Sequence, residues 1–400
     1  MAPKMPVGVD VNVVAKRLLA HIDEKTTDRA DAPLEVEPKS YHDPDIAEQE
    51  REVIFTRVPL IGAHSSELPN PGDFVRTQLP NNEILLVRQA DGSVSGFVNS
   101  CRHRGARLVE QASGTNRVFS CRYHGWAYNS NGKLRGISHA NTFGDVDESR
   151  LGLVAVPVEE RHGFVWVVDS PSGEIDVAEW LGPELDAALT SLELDRYICY
   201  RTDVFDEPVN WKAQVDGQID TYHISFLHAK TVAPFFVNNV QVWEPLGRHG
   251  RKFSARRSLV NHREDVESGK VSPEKYMSLS HLVLPAIQIL RQPDHFQVLT
   301  VLPDPYDPNR SHMQLRLLVE HAPETDEEIA LWDRNWQILL AAIRDEDIAV
   351  NRELQHAVRN RNAPNFVLGR NEIVNQVFHR WYNSAMEGDP AAFGPHQPQP

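Results

Sequence analysis

Two short cysteine–histidine motifs constrain the fold of this chain more than any other feature. One is Cys101-Arg102-His103, and the other, Cys121-Arg122-Tyr123-His124, follows after seventeen intervening residues. Each motif offers one thiolate and one imidazole from a tight loop, and both groups are good ligands for transition metals. We therefore expect Cys101, His103, Cys121 and His124 to lie together around a shared metal centre.

The segment that carries these motifs, from residue 57 to about residue 168, has the pattern of a small all-β domain. Short alternating or apolar runs, typical of antiparallel strands, are separated by turn sequences such as Asp91-Gly92 and Asn131-Gly132. Strands are predicted at residues 73–78, 84–88, 94–99, 117–120 and 164–168. The two metal-binding loops thus belong to a small antiparallel β domain.

Two kinds of metal centre fit this ligand set. In a mixed-ligand [2Fe–2S] cluster, one iron takes both sulfurs and the other takes both nitrogens, and the imidazoles raise the reduction potential. A structural zinc site with two cysteines and two histidines is the alternative. Zinc fingers usually place both cysteines in one half and both histidines in the other, whereas here each half has one of each.

A second concentration of ligands lies in residues 210–228, NWKAQVDGQIDTYHISFLH, which contain Asp220, His223 and His228. On a helix, Asp220 and His223 would share a face. His228 would lie about 140° further round, so it joins them only if the helix distorts or ends. Neutral imidazoles bind iron or zinc well. A partly exposed helix with satisfied histidines is the alternative interpretation.

Together these motifs resemble the large (α) subunit of Rieske non-heme iron oxygenases, the ring-hydroxylating oxygenase family. Residues 101–106, CRHRGA, and 121–126, CRYHGW, are similar to the family's Rieske loops. Asn210-Trp211-Lys212, followed by Asp220, His223 and His228, is similar to its mononuclear iron motif. The resemblance extends from about residue 57 to residue 355. It implies a [2Fe–2S] cluster on the Cys/His motifs and an Fe(II) held by two histidines and one carboxylate.

Helical periodicity indicates Asp347 as the carboxylate. A long helix is predicted from Thr325, whose capping box includes Glu328, to about residue 359. Asp347 falls in its apolar stripe, where a charge is costly unless it is paired or metal-bound. Asp345 is predicted to face solvent, and a salt bridge from Asp347 to a buried arginine is the alternative. The stripe comprises Trp332, Trp336, Leu339, Leu340, Ile343, Val350 and Leu354.

The resemblance implies a different role for Asp220, that of an electron-transfer bridge between subunits. In the family, such an aspartate hydrogen-bonds the Rieske histidine of one subunit and the iron histidine of the next in a head-to-tail trimer. By resemblance, His124 of one chain would pair with Asp220 of its neighbour, and Asp220 with His223. Some members carry Asn shortly before this aspartate, whereas this chain has Asp216-Gly217-Gln218.

The expected fold class is α+β, with a small antiparallel all-β Rieske domain inserted in a catalytic domain of antiparallel sheet and helices. Residues 1–57 are expected to form N-terminal helices that pack on the catalytic domain. Residues 58–170 would form the Rieske domain, and residues 171–385 the mononuclear iron domain with strands at 283–290, 296–302 and 314–319. Residues 386–400, which are rich in proline, are expected to be a disordered tail.

Composition limits the partners. A net charge of −15 argues against nucleic acid or an anionic membrane as a partner, and 41% hydrophobic residues suffice for a sizeable core. No apolar run approaches a membrane span, and the N-terminus has no signal-peptide h-region. Three cysteines without a secretion signal favour a reducing cytoplasm.

The resulting functional expectation is the terminal oxygenase of a multicomponent system. It would use dioxygen, and electrons from NAD(P)H delivered by a reductase directly or through a ferredoxin, because the chain has no nucleotide-binding fingerprint of its own. The substrate would be a small, aromatic or related molecule, and the assembly a homotrimer, with or without a β subunit. Monooxygenation leading to O- or N-demethylation, a pure Rieske electron carrier, and a zinc-stabilised binding module are the alternatives.

Overall fold

The computed structural model describes residues 3–394, which divide into two compact units. The small unit comprises Glu50–Trp180 and Leu194–Ile198, and the large unit comprises the chain up to Gln49, Leu181–Glu193, and the chain from Cys199 onward. The small unit is therefore inserted in the sequence of the large one, and the α+β class is confirmed. The units divide after residues 49 and 180, against the expected 57 and 170.

Twenty strands are assigned in the described residues. They are β1 (Leu34–Val36), β2 (Leu60–His64), β3 (Asp73–Gln78), β4 (Glu83–Arg88), β5 (Val94–Val98), β6 (Ser113–Thr115), β7 (Val118–Ser120), β8 (Ala127–Asn129), β9 (Leu134–Gly136), β10 (Ala155–Val156), β11 (Val158–Arg161), β12 (Phe164–Val167), β13 (Ile198–Glu207), β14 (Phe236–Leu246), β15 (His249–Arg256), β16 (Met277–Val283), β17 (Ile287–Arg291), β18 (Phe296–Pro303), β19 (Ser311–Val319) and β20 (Phe366–Leu368).

Eleven α-helices are assigned in the same residues. They are α1 (Val11–Glu24), α2 (Pro44–Glu50), α3 (Ala140–Phe143), α4 (Val177–Leu192), α5 (Trp211–Ile219), α6 (Ile224–Leu227), α7 (Arg257–Asn261), α8 (Arg263–Glu267), α9 (Asp326–Leu340), α10 (Ile348–Ala357) and α11 (Ile373–Met386). Two π-helical turns, Arg51–Phe55 and Ala341–Asp347, extend α2 and connect α9 to α10. No helix of residues 3–394 combines the length and apolar composition that crossing a bilayer requires.

The small unit is built from three antiparallel sheets. A five-stranded sheet has the order β10-β5-β4-β3-β6, and two three-stranded sheets have the orders β11-β12-β2 and β7-β8-β9. Its core includes the aromatic side chains of Phe74, Phe97, Phe119 and Tyr128. Cys101 and Cys121 belong to the same core cluster, so both ligand loops begin in the packed core of the small unit.

The large unit is organised around a seven-stranded sheet with the order β13-β19-β18-β17-β16-β15-β14. Strands β14 to β19 form an antiparallel meander. Helix α1 covers one face of the sheet, where Leu18 and Leu19 join a core cluster with Phe253 of β15 and Leu279 of β16. Because side chains alternate along a strand, the neighbours of Phe253 and Leu279 point to the opposite face.

The structure differs from three sequence expectations. Residues 1–57 are not only helical, because β1 pairs with β20. The strand expected at residues 283–290 is two strands, β16 and β17, because the chain turns at Pro285, which cannot donate to a ladder. The tail expected to be disordered from residue 386 is ordered through residue 394. There Pro390–Ala392 forms a 3₁₀ turn, and Trp381 Nε1 donates to the carbonyl of Ala392 at 3.1 Å. Residues 395–400 lie outside the described residues.

Candidate metal centres

The two Cys/His loops of the small unit have the same backbone conformation. In the first loop, Cys101 N donates to Ala106 O and Gly105 N donates to Cys101 O, at 2.8 and 2.9 Å. In the second, the corresponding bonds are Cys121 N to Trp126 O and Gly125 N to Cys121 O, at 2.7 and 2.9 Å. Both glycines have positive φ, +72° and +70°, which residues with a Cβ rarely adopt. The glycine after each motif is thus part of the loop design.

The four ligand side chains divide into an inner and an outer pair. Both cysteines are 3% exposed, whereas His103 and His124 are only partly buried, with their Nδ1 atoms 3.1 Å apart. The His103 ring stacks on Trp126 at a centroid distance of 5.1 Å. Two sulfurs inside and two convergent nitrogens outside match the two ends of a mixed-ligand [2Fe–2S] cluster.

The separation of these side chains argues against a single zinc ion. Among residues 3–394, only one group of three or more His, Cys or acidic side chains has its ligand atoms within 4.8 Å of one another, and it does not include the cysteines. A tetrahedral zinc ion, with bonds of about 2.0–2.3 Å, would require tighter convergence. The Cys/His set therefore fits a cluster that spans two metal ions.

Tyr128 supports the inner, sulfur end of this site. Its hydroxyl lies 3.3 Å from Cys101 Sγ and accepts a hydrogen bond of 3.0 Å from Arg102 N. Burial, and then the interaction with Cys101, raise the pKa of Tyr128 well above its usual value. The phenol therefore stays protonated and can donate a hydrogen bond to the thiolate.

The group that does converge consists of His223, His228 and Asp347, all in the large unit. Asp347 Oδ1 lies 3.1 Å from His228 Nε2 and 3.8 Å from His223 Nε2. This oxygen is buried and has no hydrogen-bond partner of acceptable geometry in the described residues. Its burial, although opposed by His228, raises the pKa of Asp347. A buried, unsatisfied carboxylate oxygen beside two imidazoles is suited to a metal ion.

The histidines reach this position by a route that helical periodicity did not predict. Helix α5 ends at Ile219, and Asp220 has an extended backbone, so Asp220 and His223 do not share a helix face. Instead, Asp220 Oδ1 accepts hydrogen bonds from the backbone of Tyr222 and His223 and closes a turn. The short helix α6 follows, with His223 and His228 as its two caps. Because α6 ends at His228, the His228 side chain lies beside His223. The sequence allowed this approach only if the helix distorted or ended there.

Each imidazole is held from behind by a second carboxylate. His223 Nδ1 donates to Asp220 Oδ2 at 2.9 Å, and His228 Nδ1 donates to Glu346 Oε2 at 2.7 Å. A proton on each Nδ1 leaves each Nε2 lone pair free for a metal. Burial lowers the pKa of His228, but the carboxylates of Asp347 and Glu346 outweigh burial, so the pKa is raised overall. The sequence expectations did not include Glu346 as a partner of His228, although its position next to Asp347 was the available signal.

Asp347 owes its position to the π-helical turn between α9 and α10. One extra residue in this turn rotates the following helix, so the buried face of α10 continues through Asn351 and Gln355. Val350, predicted to share the apolar stripe with Asp347, is 44% exposed instead. Asp345 is exposed, as predicted, and pairs with Arg344. The stripe prediction was therefore correct up to Ile343 and wrong at Val350, whereas Leu354 is partly buried against a core cluster.

The three residues of the segment Asp216-Gly217-Gln218 have different roles. The carboxylate of Asp216 accepts hydrogen bonds from Tyr41 Oη at 2.7 Å and His379 Nε2 at 2.9 Å, which hold α5 to neighbouring helical segments. A Cβ on Gly217 would lie 3.1 Å from the Asn351 side chain, so glycine permits the close approach of α5 to α10. Gln218 lines the cavity beside the histidines. Within this segment, Gln218 is therefore the residue whose amide lies near the site, and Asp216 is structural.

A cavity of about 170 Å³ opens directly onto the three convergent side chains. Helices α5 and α6, the π-helical turn and the face of the sheet opposite α1 enclose it. Ile224, Val232, Leu339 and Ile343 form its apolar wall. The volume is similar to the cavities of about 150 Å³ that hold benzene. A compound of roughly one aromatic ring would thus fit beside the ligand group.

Comparison with known proteins agrees with both sites. The family model for the Rieske [2Fe–2S] domain matches residues 59–153, and the model for the ring hydroxylating alpha subunit (catalytic domain) matches residues 194–388. The donor chemistry of both sites fits the [2Fe–2S] cluster and the mononuclear iron that these domains imply.

Curated relatives point the same way. The large oxygenase component of the 2,4-dinitrotoluene dioxygenase system of Burkholderia sp. is 36% identical over 199 residues, covering 47% of this chain and 43% of that protein. The anthranilate 1,2-dioxygenase large subunit of Acinetobacter baylyi is 31% identical over 201 residues, covering 48% of this chain and 42% of that protein. Each match spans less than half of the relative's length.

Solved structures show the same fold. A quaternary ammonium Rieske monooxygenase superposes with a TM-score of 0.74 at 19% identity, over 96% of this chain and 100% of that chain. Naphthalene 1,2-dioxygenase from Rhodococcus sp. superposes with a TM-score of 0.69 at 17% identity, over 94% of this chain and 98% of that chain. With a Rieske domain followed by the matching catalytic domain, the chain belongs to the Rieske ring-hydroxylating oxygenases, as an alpha subunit.

Proposed function

We propose that this chain is the terminal oxygenase component of a multicomponent oxygenase, which uses dioxygen and external electrons to oxidise a small organic substrate. The observation that carries this proposal is the convergence of His223, His228 and Asp347 on a cavity of one-ring size. A two-histidine, one-carboxylate set leaves coordination positions open, as non-heme iron oxygenases require.

The geometry of the side chains supports a proposed role for each ligand. Cys101 and Cys121 would hold the inner iron of the [2Fe–2S] cluster, and His103 and His124 the outer iron. His223, His228 and Asp347 would hold the mononuclear Fe(II). When bound, the cluster would supply electrons, and the mononuclear iron would supply a position for dioxygen beside the substrate.

The protein residues contribute orientation and exclusion of water. Asp220 and Glu346 fix the tautomers of His223 and His228, so both Nε2 atoms face Asp347. The apolar wall of the cavity positions the substrate beside these side chains and keeps the reacting space dry.

Electron supply requires partners. The sequence has no dinucleotide-binding fingerprint, so we infer that a reductase, directly or through a ferredoxin, passes electrons from NAD(P)H to the cluster. Two relatives are named as large components of oxygenase systems. We further propose a homotrimer in which Asp220 links His223 to His124 of a neighbouring chain. The observation that supports this is the direct Asp220–His223 hydrogen bond.

We propose an aromatic substrate, because the curated relatives named above act on nitroaromatic and aminoaromatic compounds and the cavity has the volume of a single ring. Monooxygenation with demethylation is the second candidate. The polar sheet face of the cavity, described below, favours substrates that carry heteroatoms. A pure electron carrier would not need the second ligand group on its own cavity.

Single turnover tests the proposal. Protein loaded with iron and sulfide is reduced chemically and exposed to isotopically heavy dioxygen with a panel of single-ring aromatic compounds, and products are identified by mass spectrometry. We expect heavy oxygen in at least one product, as a diol for dioxygenation or as a phenol or lost formaldehyde for monooxygenation. The His228→Ala variant, with its cluster intact, serves as the control and should form none. The proposal would be contradicted by reduced wild type that carries both the cluster and the mononuclear iron but oxidises no compound of the panel.

A further inference from the structure

The face of the large sheet that lines the cavity is mostly polar, although it is buried. Leu290 and Leu299 also lie on this face, and its polar side chains, each 6–8% exposed, are Lys252, Ser254, Ser278, Ser280, Gln288 and Gln297. The register pairs Lys252 with Ser280 and Ser254 with Ser278, so they form one continuous patch. Buried polar groups are costly unless they are hydrogen-bonded, so a patch of this kind calls for partners.

The protein does not supply all of those partners. Lys252 Nζ donates to the carbonyl of Ile219 at 2.6 Å, which is its one hydrogen bond within residues 3–394. An ammonium group has three donors, so two of them are left for a ligand. In the same part of the chain, the hydroxyls of Ser254, Ser278 and Ser280 make no hydrogen bond to the protein, and they line the cavity.

Neither acidic side chain that lines the cavity forms a salt bridge with Lys252 in the described residues, although Asp220 is near enough to affect its charge. Asp220 directs its Oδ2 at His223, and Asp347 directs its Oδ1 at His228. Of the lysines and arginines in the described residues, only Lys252 lines the cavity. Burial lowers the pKa of Lys252 to about 8, partly offset by Asp220, so most molecules carry the ammonium form at neutral pH.

We propose that Lys252 receives a carboxylate of the substrate, with the serine hydroxyls as additional donors, so that the preferred substrates are single-ring aromatic carboxylates. This inference deepens the proposed function and rests on it. A charge-assisted hydrogen bond in a dry site is stronger than a neutral one, and a carboxylate would satisfy donors that the protein leaves unused. The volume beside the histidines leaves room for about one ring.

A purely structural role for Lys252 explains less. Ile219 is the last residue of α5, and a cation near the C-terminus of a helix is favourable. That role uses one donor and accounts neither for the other two nor for the unpaired serine hydroxyls. The two roles differ in a measurable way, because a structural lysine would not distinguish an anionic ligand from a neutral one of the same shape.

The test compares benzoate with benzamide, which share a ring and differ in charge. Affinities are measured by anaerobic equilibrium dialysis of the fully metal-loaded protein at pH 7. We expect wild type to bind benzoate at least about tenfold more tightly than benzamide. Lys252→Met, which keeps the apolar stem, should lose that preference while its benzamide affinity changes little. Lys270→Met, the same change at an exposed lysine outside the cavity lining, should keep the preference for benzoate.

Several outcomes would overturn the proposal. One is a wild type that does not prefer benzoate, a result that needs no variant to fold. Another is a preference that survives in Lys252→Met, as direct ligation of the iron by benzoate would produce. Iron content measured on the same samples separates this proposal from the preceding one. A doubly loaded enzyme that oxidises neutral aromatics but shows no benzoate preference would refute only the role of Lys252.

Discussion

Each of the two imidazoles of the candidate iron site is hydrogen-bonded to a carboxylate, although the carboxylates come from different local structures. Asp220 reaches His223 through a turn three residues long, and Glu346 reaches His228 from a helix that is remote in sequence. Thr231 Oγ1 also donates to Glu346 Oε2, which fixes that carboxylate in place. Glu346 therefore acts as a positioning residue for His228.

Replacement of Glu346 by alanine should weaken iron binding about 10–100-fold, because His228 loses the partner that sets its tautomer. Iron retention during dialysis against a chelator measures the effect, and the visible spectrum of the cluster should not change. Asp345→Ala is the matched control, since Asp345 is an exposed carboxylate next in the chain. Equal iron retention in Glu346→Ala and Asp345→Ala would show that Glu346 does not position His228.

Lys252 gives the site a pH dependence. Burial lowers its pKa to about 8, so the ammonium group loses its proton and its charge as the pH rises through that value. Asp220 is the charged neighbour that most affects it. Benzoate affinity should therefore fall between pH 7 and about pH 9, whereas benzamide affinity should stay level. Parallel curves for the two ligands would exclude Lys252 as the source.

At the scale of single residues, the sequence predicted the identity of the site side chains more reliably than the local structure that positions them. Asp347 was selected because a charge lay on a predicted buried face, and it is buried. The continuation of that face through Val350 was wrong, because the sequence pattern of a π-helical turn is the same as that of an α-helix. Asp220 contacts His223, as predicted, but through a turn and not a helix face.

At the scale of elements, the π-helical turn Ala341–Asp347 is the feature on which the iron site depends. Insertion of one alanine after Arg344, which is exposed, adds a residue beyond the one that the π-helical turn accommodates and should rotate Asp347 by about 100° away from the histidines. We expect loss of mononuclear iron with the cluster and the helical circular dichroism retained. Arg344→Ala, which keeps the residue count, should retain iron. Iron bound normally after the insertion would show that the turn does not position Asp347.

Of the strands that enclose the cavity, β18 was predicted close to its observed bounds, but two others were missed. Strand β3 was predicted at its observed bounds, because its alternation and flanking turns are clear. Strands β14 and β15 were missed, and the polar positions Lys252 and Ser254 contributed to this. Alternation of polar and apolar residues normally indicates one solvated face. Here the polar face of β15 is buried against a cavity, which single-sequence patterns do not distinguish from exposure to water.

At the scale of the whole molecule, two ligand sets in one chain suggest a division of labour within an assembly. The proposed trimer passes electrons from the cluster of one chain to the iron of its neighbour. Two inactive variants should then complement each other when mixed in one trimer. Cys121→Ser would lack the cluster, and His228→Ala would lack the mononuclear iron.

Co-expression and purification of mixed trimers, verified by mass, should restore part of the activity of wild type. Asp220→Asn trimers should bind both metals and accept electrons but form almost no product, because the bridge between imidazoles is lost. Mixed trimers that carry both metals and stay inactive would rule out transfer between subunits. Full activity of Asp220→Asn would remove Asp220 from the route.

A metal count shows whether one chain holds two separate iron centres on the seven proposed ligand side chains. Wild type, Cys121→Ser and His228→Ala are reconstituted anaerobically, and iron and acid-labile sulfide are measured beside the electron paramagnetic resonance of the reduced proteins. We expect about three irons and about two sulfides per chain in wild type. His228→Ala should lose about one iron and keep the Rieske signal, and Cys121→Ser should lose the signal and the sulfide but keep about one iron. A Rieske signal that survives in Cys121→Ser, or mononuclear iron that survives in His228→Ala, would contradict the assignment.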